Sequence, residues 1–386
     1  MKTKTRASFD QIGFVYSNKI GNNTSLRFVN FGFNYHKSKN FNRLFSMGGA
    51  LDNMSQSFQL AQEMERYGLT ESEFNDILDA KNPYTKYWNQ LPVLGVMGVR
   101  TGVVDWFNDP EKNIHAPWGW NGFNNNFFSK ETGGISQYDF NVSFNIEDRV
   151  YLGATLGVYD VNYDRYTSYT ENLNDDKGAD NGGYTLDNYY RLEGTGMDLK
   201  LGVIVRPIES SPFRLGFAVH TPTWYDLRES YNATLSSDIL AYEKPYIQTL
   251  SDFLVTPEYD YLTYDYNLTT PWKFNVSAGT TFAGAVAVGA EYEYQDYSSS
   301  KLKDVDGYEL GDQPSVENYL KGVHTFRIGW KRGSYLSLAS VQGIIILRLH
   351  FQKMLIVPCL YIARVLILII RSLRIPLRLV LDTVAV

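Results

Sequence analysis

The sequence predicts an all-β chain: a partial transmembrane antiparallel up-and-down β-barrel of about nine strands with a helical extracellular insert. Three observations predict it. Apolar and polar residues alternate with period two in one segment after another. Short and long connections between those segments strictly alternate. Aromatic residues, 29 of them tyrosine in a chain of 386, gather near the segment ends. A barrel with short periplasmic turns on one rim and long extracellular loops on the other accounts for all three. A soluble β-sandwich would instead mix loop lengths and return through a Greek key.

Residues 6–37 hold a first hairpin, with strands over 8–17 and 24–37 and the short turn NKIGNN at 18–23. The 38–133 insert follows. Within it, FSMGGALDNMSQSFQLAQEMERYG and TESEFNDILDAK read as two amphipathic helices, the second opened by Thr70 as N-cap with Glu73 completing a capping box. The apolar stretch LPVLGVMGVRTGVVDWFND and the tryptophan-bearing HAPWGWNGF complete it. A loop this long with helices of its own is commonly functional or partner-binding.

Barrel hairpins are expected over 134–329. Tyr138, Phe140, Val142, Phe144 and Ile146 alternate with polar neighbours, and Val150 to Val158 repeats the pattern after the turn IEDR. Met197, Leu199, Leu201, Val203 and Val205 give an aliphatic face to the next strand. Phe213 to Val219, Trp272 to Ala278 and Val286 to Tyr294 follow, with a less regular strand at 319–330. Turns at 207–212 and 283–285 are short, and loops at 162–185, 233–258 and 299–318 are long. The opposite faces of these strands carry Asp198, Lys200, Arg206, Arg214, His220, Lys273, Asn275, Glu291 and Glu293. In a barrel that face is the lumen, so these residues read as a polar path or carboxylate-binding rungs, or as the polar lining any lumen has.

Charge is not uniform along the chain. Residues 1–330 hold 28 Lys and Arg against 41 Asp and Glu, a charge of −13, whereas 331–386 carry eight basic residues and one acid, a charge of +7. The acidic body gives no general reason to expect a nucleic-acid partner. The single cysteine, Cys359, excludes an intramolecular disulfide and any CxxC motif. Residues 343–386 are mostly Ile, Leu and Val broken by single basic residues. The longest uncharged run there, Met354 to Ala363, has ten residues and contains Pro358, too short for a membrane helix. Arginines at 364, 371, 374 and 378 sit among aliphatic residues and Pro376 interrupts that stretch, which argues against an amphipathic surface helix.

A shifted reading frame explains the tail better. Loss of one base near the Gly329 codon lets GWKRGSYLSLASVQGIII be read as VEARIIPQFSLRAGYNY, ILRLHFQKMLI as TSAPFSKNAY and RLVLDTV as FGLGYR. That text continues the body with a turn, a strand, a loop and a final aromatic strand. Residues 330–386 are therefore expected to be out of frame. Parity adds a second expectation. The 8–17 strand precedes a short turn and so runs downward, which requires an odd number of strands before Met1. The opening MKTKTRASFDQ has no apolar h-region, so an N-terminal truncation is expected.

The opening SFDQIGFVYSNKIGNNTSLRFVNFGFNYHKSKNFN, the helix-rich insert, the tyrosine-rich hairpins and the reconstructed SLRAGYNYTSAPF and FGLGYR together resemble the FadL/TodX-type outer-membrane transporters, in the branch often labelled hemin receptor. The resemblance implies a 14-stranded barrel, of which about nine strands lie in frame here. It also implies an N-terminal hatch with an Asn-Pro-Ala segment, absent from this sequence, and passive uptake of hydrophobic compounds such as fatty acids, aromatics or hemin across the bacterial outer membrane. It further implies that the insert is a lid capturing a hydrophobic ligand, with Phe58, Leu60, Val93, Leu94, Met97, Trp106 and Phe107 as its lining. The alternative at those positions is that they pack the insert's own core.

Partners expected on this reading are a hydrophobic small molecule, outer-membrane lipid and the assembly machinery, with the barrel monomeric. No cofactor is expected. Heme would want a His or Tyr ligand, and the body's His36, His115, His220 and His324 stand apart without HxH or HxxxH spacing. No GxSxG, P-loop, HExxH or EF-hand pattern occurs, so neither catalytic nor metal-binding residues are assigned and no enzyme is expected. The competing function is a surface adhesin or antigen barrel that binds a partner through its loops. A barrel short of strands leaves unpaired edges that lipid does not tolerate. The chain as it stands is therefore expected to be non-functional, with transport belonging to its full-length parent.

Overall fold

The computed structural model describes residues 10–332 and 341–349, apart from 22, 53, 82, 88–89, 110–113, 175–177, 241–245, 250–261 and 283–285. Most of the tail expected to be out of frame lies outside the described residues, as does the turn at 283–285.

The chain opens with β1 (Gln11–Lys19) and β2 (Leu26–Asn40), paired so that Phe14 faces Phe33 and Tyr16 faces Phe31. A break at Phe41 and Asn42 separates β2 from β3 (Arg43–Ala50), and both run along one later strand. The first stretch read as helix is thus partly strand: its residues 45–50 lie in β3 and find a partner edge, which outweighs helical periodicity in a short window.

The helical region is α1 (Gln56–Arg66), α2 (Glu71–Asp79), α3 (Pro83–Tyr87) and α4 (Val93–Arg100). Ser55 caps α1, accepting from the Ser57 N–H, and the Thr70–Glu73 capping box forms at α2. Leu60, Met64, Phe74, Ile77, Val96 and Met97 are buried between these helices. A Cβ at Gly95 would stand 2.2 Å from Met64 Sδ, so a larger residue there would require the Met64 side chain to move. A small two-stranded sheet of β4 (Asp105–Asp109) and β5 (Ile114–Trp118) closes the region.

Three long strands come next: β6 (Asn121–Ile146), β7 (Val150–Asn174) and β8 (Asp180–Val205). They pair continuously, so the long loop expected at 162–185 is instead an extended hairpin. The reason is visible in its side chains. Tyr166 stacks near Tyr189 with centroids 4.9 Å apart, Tyr169 packs near Tyr184, and aromatic cross-strand pairs stabilise a ladder by up to ~1 kcal/mol each.

After β9 (Arg214–His220) come β10 (Trp224–Ser237), β11 (Tyr246–Thr249), β12 (Leu262–Thr269), β13 (Lys273–Phe282), β14 (Val286–Asp296) and β15 (Lys301–Asp304). Helix α5 (Gln313–Tyr319), β16 (Gly322–Arg332) and β17 (Val341–Leu349) complete the described chain. The main sheet runs β1-β2-β6-β7-β8-β9-β13-β14-β16-β17 and is antiparallel. Its first nine strands are the nine read from period two. Among the described residues β1 and β17 do not pair, so the structure is mostly β, a partial, unclosed antiparallel barrel with a separate helical region.

Its two faces are inverted relative to a soluble sheet. Phe31, Phe140, Leu156, Leu199, Phe274 and Ile328 are exposed on the outer face, while Gln137, Asp139, Asp198 and Thr325 are buried on the inner one. Toward the upper end the outer face turns polar, with Asp160, Glu193, Asp226 and Arg228 exposed. There the inner face buries Tyr163, Leu186, Leu192, Leu227 and Tyr231 instead.

Candidate functional site

Two proline-containing breaks position the site. β9 and β10 are collinear along β8 but interrupted at Thr221-Pro222-Thr223. Their neighbours β13 and β12 are interrupted alongside, at Thr270-Pro271-Trp272. Proline has no N–H for the ladder, and threonine hydroxyls take over part of it. The Leu199 N–H donates to Thr221 Oγ1 at 3.0 Å and the Thr223 N–H to Thr270 Oγ1 at 2.7 Å. A cavity of about 380 Å³ lies on the inner face against the breaks.

The cavity's floor is a single row across four strands. Register places Lys200 opposite His220, His220 opposite Lys273, and Lys273 opposite Gln295, and all four line the cavity. Aromatic and aliphatic groups, Phe41, Ile135, Tyr159, Tyr225 and Leu268, supply other walls. The Tyr159 and Tyr225 rings lie 5.7 Å apart.

Asp198 and Asp139 anchor one end. Lys200 Nζ donates to Asp139 Oδ1 at 2.8 Å and stands 3.6 Å from Asp198 Oδ1. The Tyr159 hydroxyl donates to Asp198 Oδ2 at 2.7 Å, and Gln137 Nε2 to Asp139 Oδ1 at 2.8 Å. Asp198 is only 5% exposed, and a carboxylate buried that far without such partners would be costly. Gly157 makes room for the group: a Cβ there would meet Asp198 Oδ1 at 2.3 Å. At the other end Lys273 approaches Glu293 no closer than 3.9 Å. Glu293 is held by Arg327 at 3.1 Å and by Asn275 at 3.2 Å; Arg327 also pairs with Glu291.

Of the polar residues read as lumenal, the structure therefore brings Asp198, Lys200, His220 and Lys273 to one cavity. Asn275, Glu291 and Glu293 sit in the adjoining network with Arg327. Arg206 and Arg214 lie at the far rim. Arg206 braces a turn, donating from Nε to Ser211 O at 2.9 Å, and Arg214 lies over the Tyr151 ring.

None of the seven residues expected to line a lid touches this cavity. Leu60 and Met97 are buried in the helical core. Phe58 and Phe107 each pack on Trp118 with centroids 5.3 Å apart, Trp106 packs on Phe74, and Val93 and Leu94 are half-buried against the same core. The helical region is fastened to the sheet by Ser237 Oγ donating to Thr101 O and by the Gln56 N–H donating to Glu171 Oε2 at 3.1 Å. Glu171 is fully buried and also accepts from the Tyr169 and Tyr184 hydroxyls. Burial, and for Tyr184 the Glu171 charge, push both phenols well above the ordinary tyrosine value.

No family model matches the chain, and no curated protein is similar to it. Among solved structures, the Pseudomonas putida toluene transporter TodX is similar at a TM-score of 0.35 and 11% identity, over 87% of this chain and 66% of that one. A likeness of that size carries no argument about what this chain does, which rests on its own geometry.

Sequence reading counts Tyr159 and Tyr225 only among the strand-end aromatics of a girdle, and does not single out Asp139, Gln137 or the threonines of the breaks. The signal for the last was present in TPT and TTPW, two Thr-Pro pairs in stretches otherwise fit for strand. Among the described residues no group of three or more metal-ligating side chains converges. The cavity sets lysine ammonium groups and hydroxyls beside aromatic walls in a small, partly open space.

Proposed function

We propose that the sheet is the membrane-spanning part of an outer-membrane channel for passive uptake of hydrophobic small molecules, and that the cavity is a stop on their path. The inverted faces carry this reading. The exposed apolar belt runs from Met197 to Val205 on β8 and from Trp272 to Phe282 at β13. Nine to eleven residues at a rise of ~3.3 Å and a tilt of ~40° cover about 20–25 Å, the height of the apolar band of a membrane barrel. Trp224 and Trp272 stand exposed at its upper limit, with Asp226 and Arg228 just above. Aromatic residues favour that interface. A soluble protein exposing so continuous an apolar surface would aggregate.

Polar inner rungs beside an aromatic-walled cavity suit a conduit better than a sealed core. The helical region is the extracellular lid on this reading, tied to the upper ends of the strands through Glu171 and Ser237.

The test is reconstitution. The full chain refolded into vesicles whose outer leaflet is lipopolysaccharide, which slows toluene, should admit toluene faster than protein-free vesicles of the same composition do. Equal rates with and without protein, or failure to insert, would count against the proposal.

A further inference from the structure

We propose that the cavity selects a small aromatic carboxylate, its anionic end held by Lys273 and His220 and its ring against Tyr225, Phe41 and Leu268. This rests on the channel reading and names the substrate class for it.

The argument begins with which cation is already spent. Lys200 is bound at 2.8 Å by Asp139 and faces Asp198 at 3.6 Å, so its charge is answered within the protein. Lys273 is not so placed. Its one ion-pair approach among the described residues is 3.9 Å, to a Glu293 already engaged by Arg327 and Asn275. A lysine ammonium carries three donors and gains most from a closely bound anion. His220 sits directly opposite Lys273 in the β9–β13 register and lines the same cavity, with Gln295 on the other side of Lys273. Adjacent strands lie ~4.8 Å apart, so this end of the row presents donors at a spacing a carboxylate can bridge. Asp198 is about two strand spacings away from Lys273, roughly 10 Å, with Lys200 Nζ 3.6 Å from its Oδ1 and the Tyr159 hydroxyl donating to its Oδ2.

The remaining walls decide what the anion carries. Phe41, Tyr225 and Leu268 are apolar or aromatic, and Pro271 closes the side next to Lys273. A volume of about 380 Å³ is at the small end for ligand pockets. One ring with a carboxylate fits that space and satisfies both walls. A hydrocarbon alone would offer the Lys273 ammonium, which is 31% exposed and 3.9 Å from its nearest carboxylate among the described residues, no closely bound anion.

Benzoate, benzyl alcohol and toluene are the probes. With the full chain refolded in micelles, equilibrium dialysis should show saturable benzoate binding, weakened at least tenfold by Lys273→Gln and restored to within threefold by Lys273→Arg. Benzyl alcohol binding should change less than twofold in either variant, showing that the cavity is intact. Non-saturable benzoate binding, or equal affinities for wild type and Lys273→Gln, would overturn the assignment. In the lipopolysaccharide vesicles the two proposals separate. Toluene entry without benzoate binding removes only the substrate class, whereas no protein-dependent entry of toluene removes the channel reading and this inference with it.

Discussion

Replacing Lys200 with methionine removes the cation between two buried carboxylates while keeping most of the side chain's volume. Lys200 is 19% exposed at its side chain, Asp139 12% and Asp198 5%, so solvent cannot substitute for it. Deleting one member of such a buried pair costs about 3–5 kcal/mol, because the remaining charge has no partner. Here the loss should fall near the lower end, about 3 kcal/mol. Asp139 retains Gln137 at 2.8 Å and Asp198 retains the Tyr159 hydroxyl at 2.7 Å. Adding Asp139→Asn should recover about 1–2 kcal/mol, since coupled neighbours interact by about 0.5–3 kcal/mol. Urea unfolding of the refolded chain in micelles, followed by tryptophan fluorescence, measures both. A cost below about 1 kcal/mol for Lys200→Met, the value of an exposed ion pair, would refute the claim that this network is a buried element of the site.

Three further outcomes follow from other parts of the molecule. Met97→Ala empties a fully buried position in the helical region and should cost that region about 2–5 kcal/mol, seen as faster amide exchange over 56–104 with the sheet unchanged. Leu201→Arg places a charge midway along the exposed apolar belt and should reduce stability in lipid by about 2–4 kcal/mol, while leaving it nearly unchanged if that face meets water. Tyr84, Tyr184 and Tyr190 are raised above the ordinary tyrosine value chiefly by burial. Unfolded tyrosine ionises near ~10, so their contribution to stability is fully present below that pH and falls as pH rises above it. Absorbance of tyrosinate should therefore show a late-ionising class that appears together with unfolding.

The strands of the apolar belt were legible because one face is apolar and the other polar, which makes period two explicit from Tyr138 to Ile146 and from Met197 to Val205. The strands above the apolar belt were not. In β7 beyond Asp160 and in β10 the outer face is polar and the inner face mixes tyrosine with aliphatic and charged residues, and a stretch such as DRYTSYTENLN resembles a loop in composition. The capping box at Thr70 could be read because its partners are three residues apart. The cavity could not: Asp139 and Lys200 are 61 residues apart and meet only through the register of β6, β7 and β8. Polar residues on a lumenal face were identifiable as a set, but which of them converge depends on the shear of the sheet and on the two Thr-Pro breaks.

The central claim is that the outer face meets lipid and the inner face does not, and single cysteines placed along β8 test it most directly. With Cys359 replaced by serine, cysteines at 199, 200 and 201 would be probed in liposomes with a water-soluble maleimide and a lipid-borne nitroxide quencher of an attached fluorophore. Positions 199 and 201 should resist the maleimide and be quenched from lipid, and position 200 should show neither effect of lipid contact. Equal reactivity with the maleimide at all three positions, with no quenching from lipid at 199 and 201, would contradict the account.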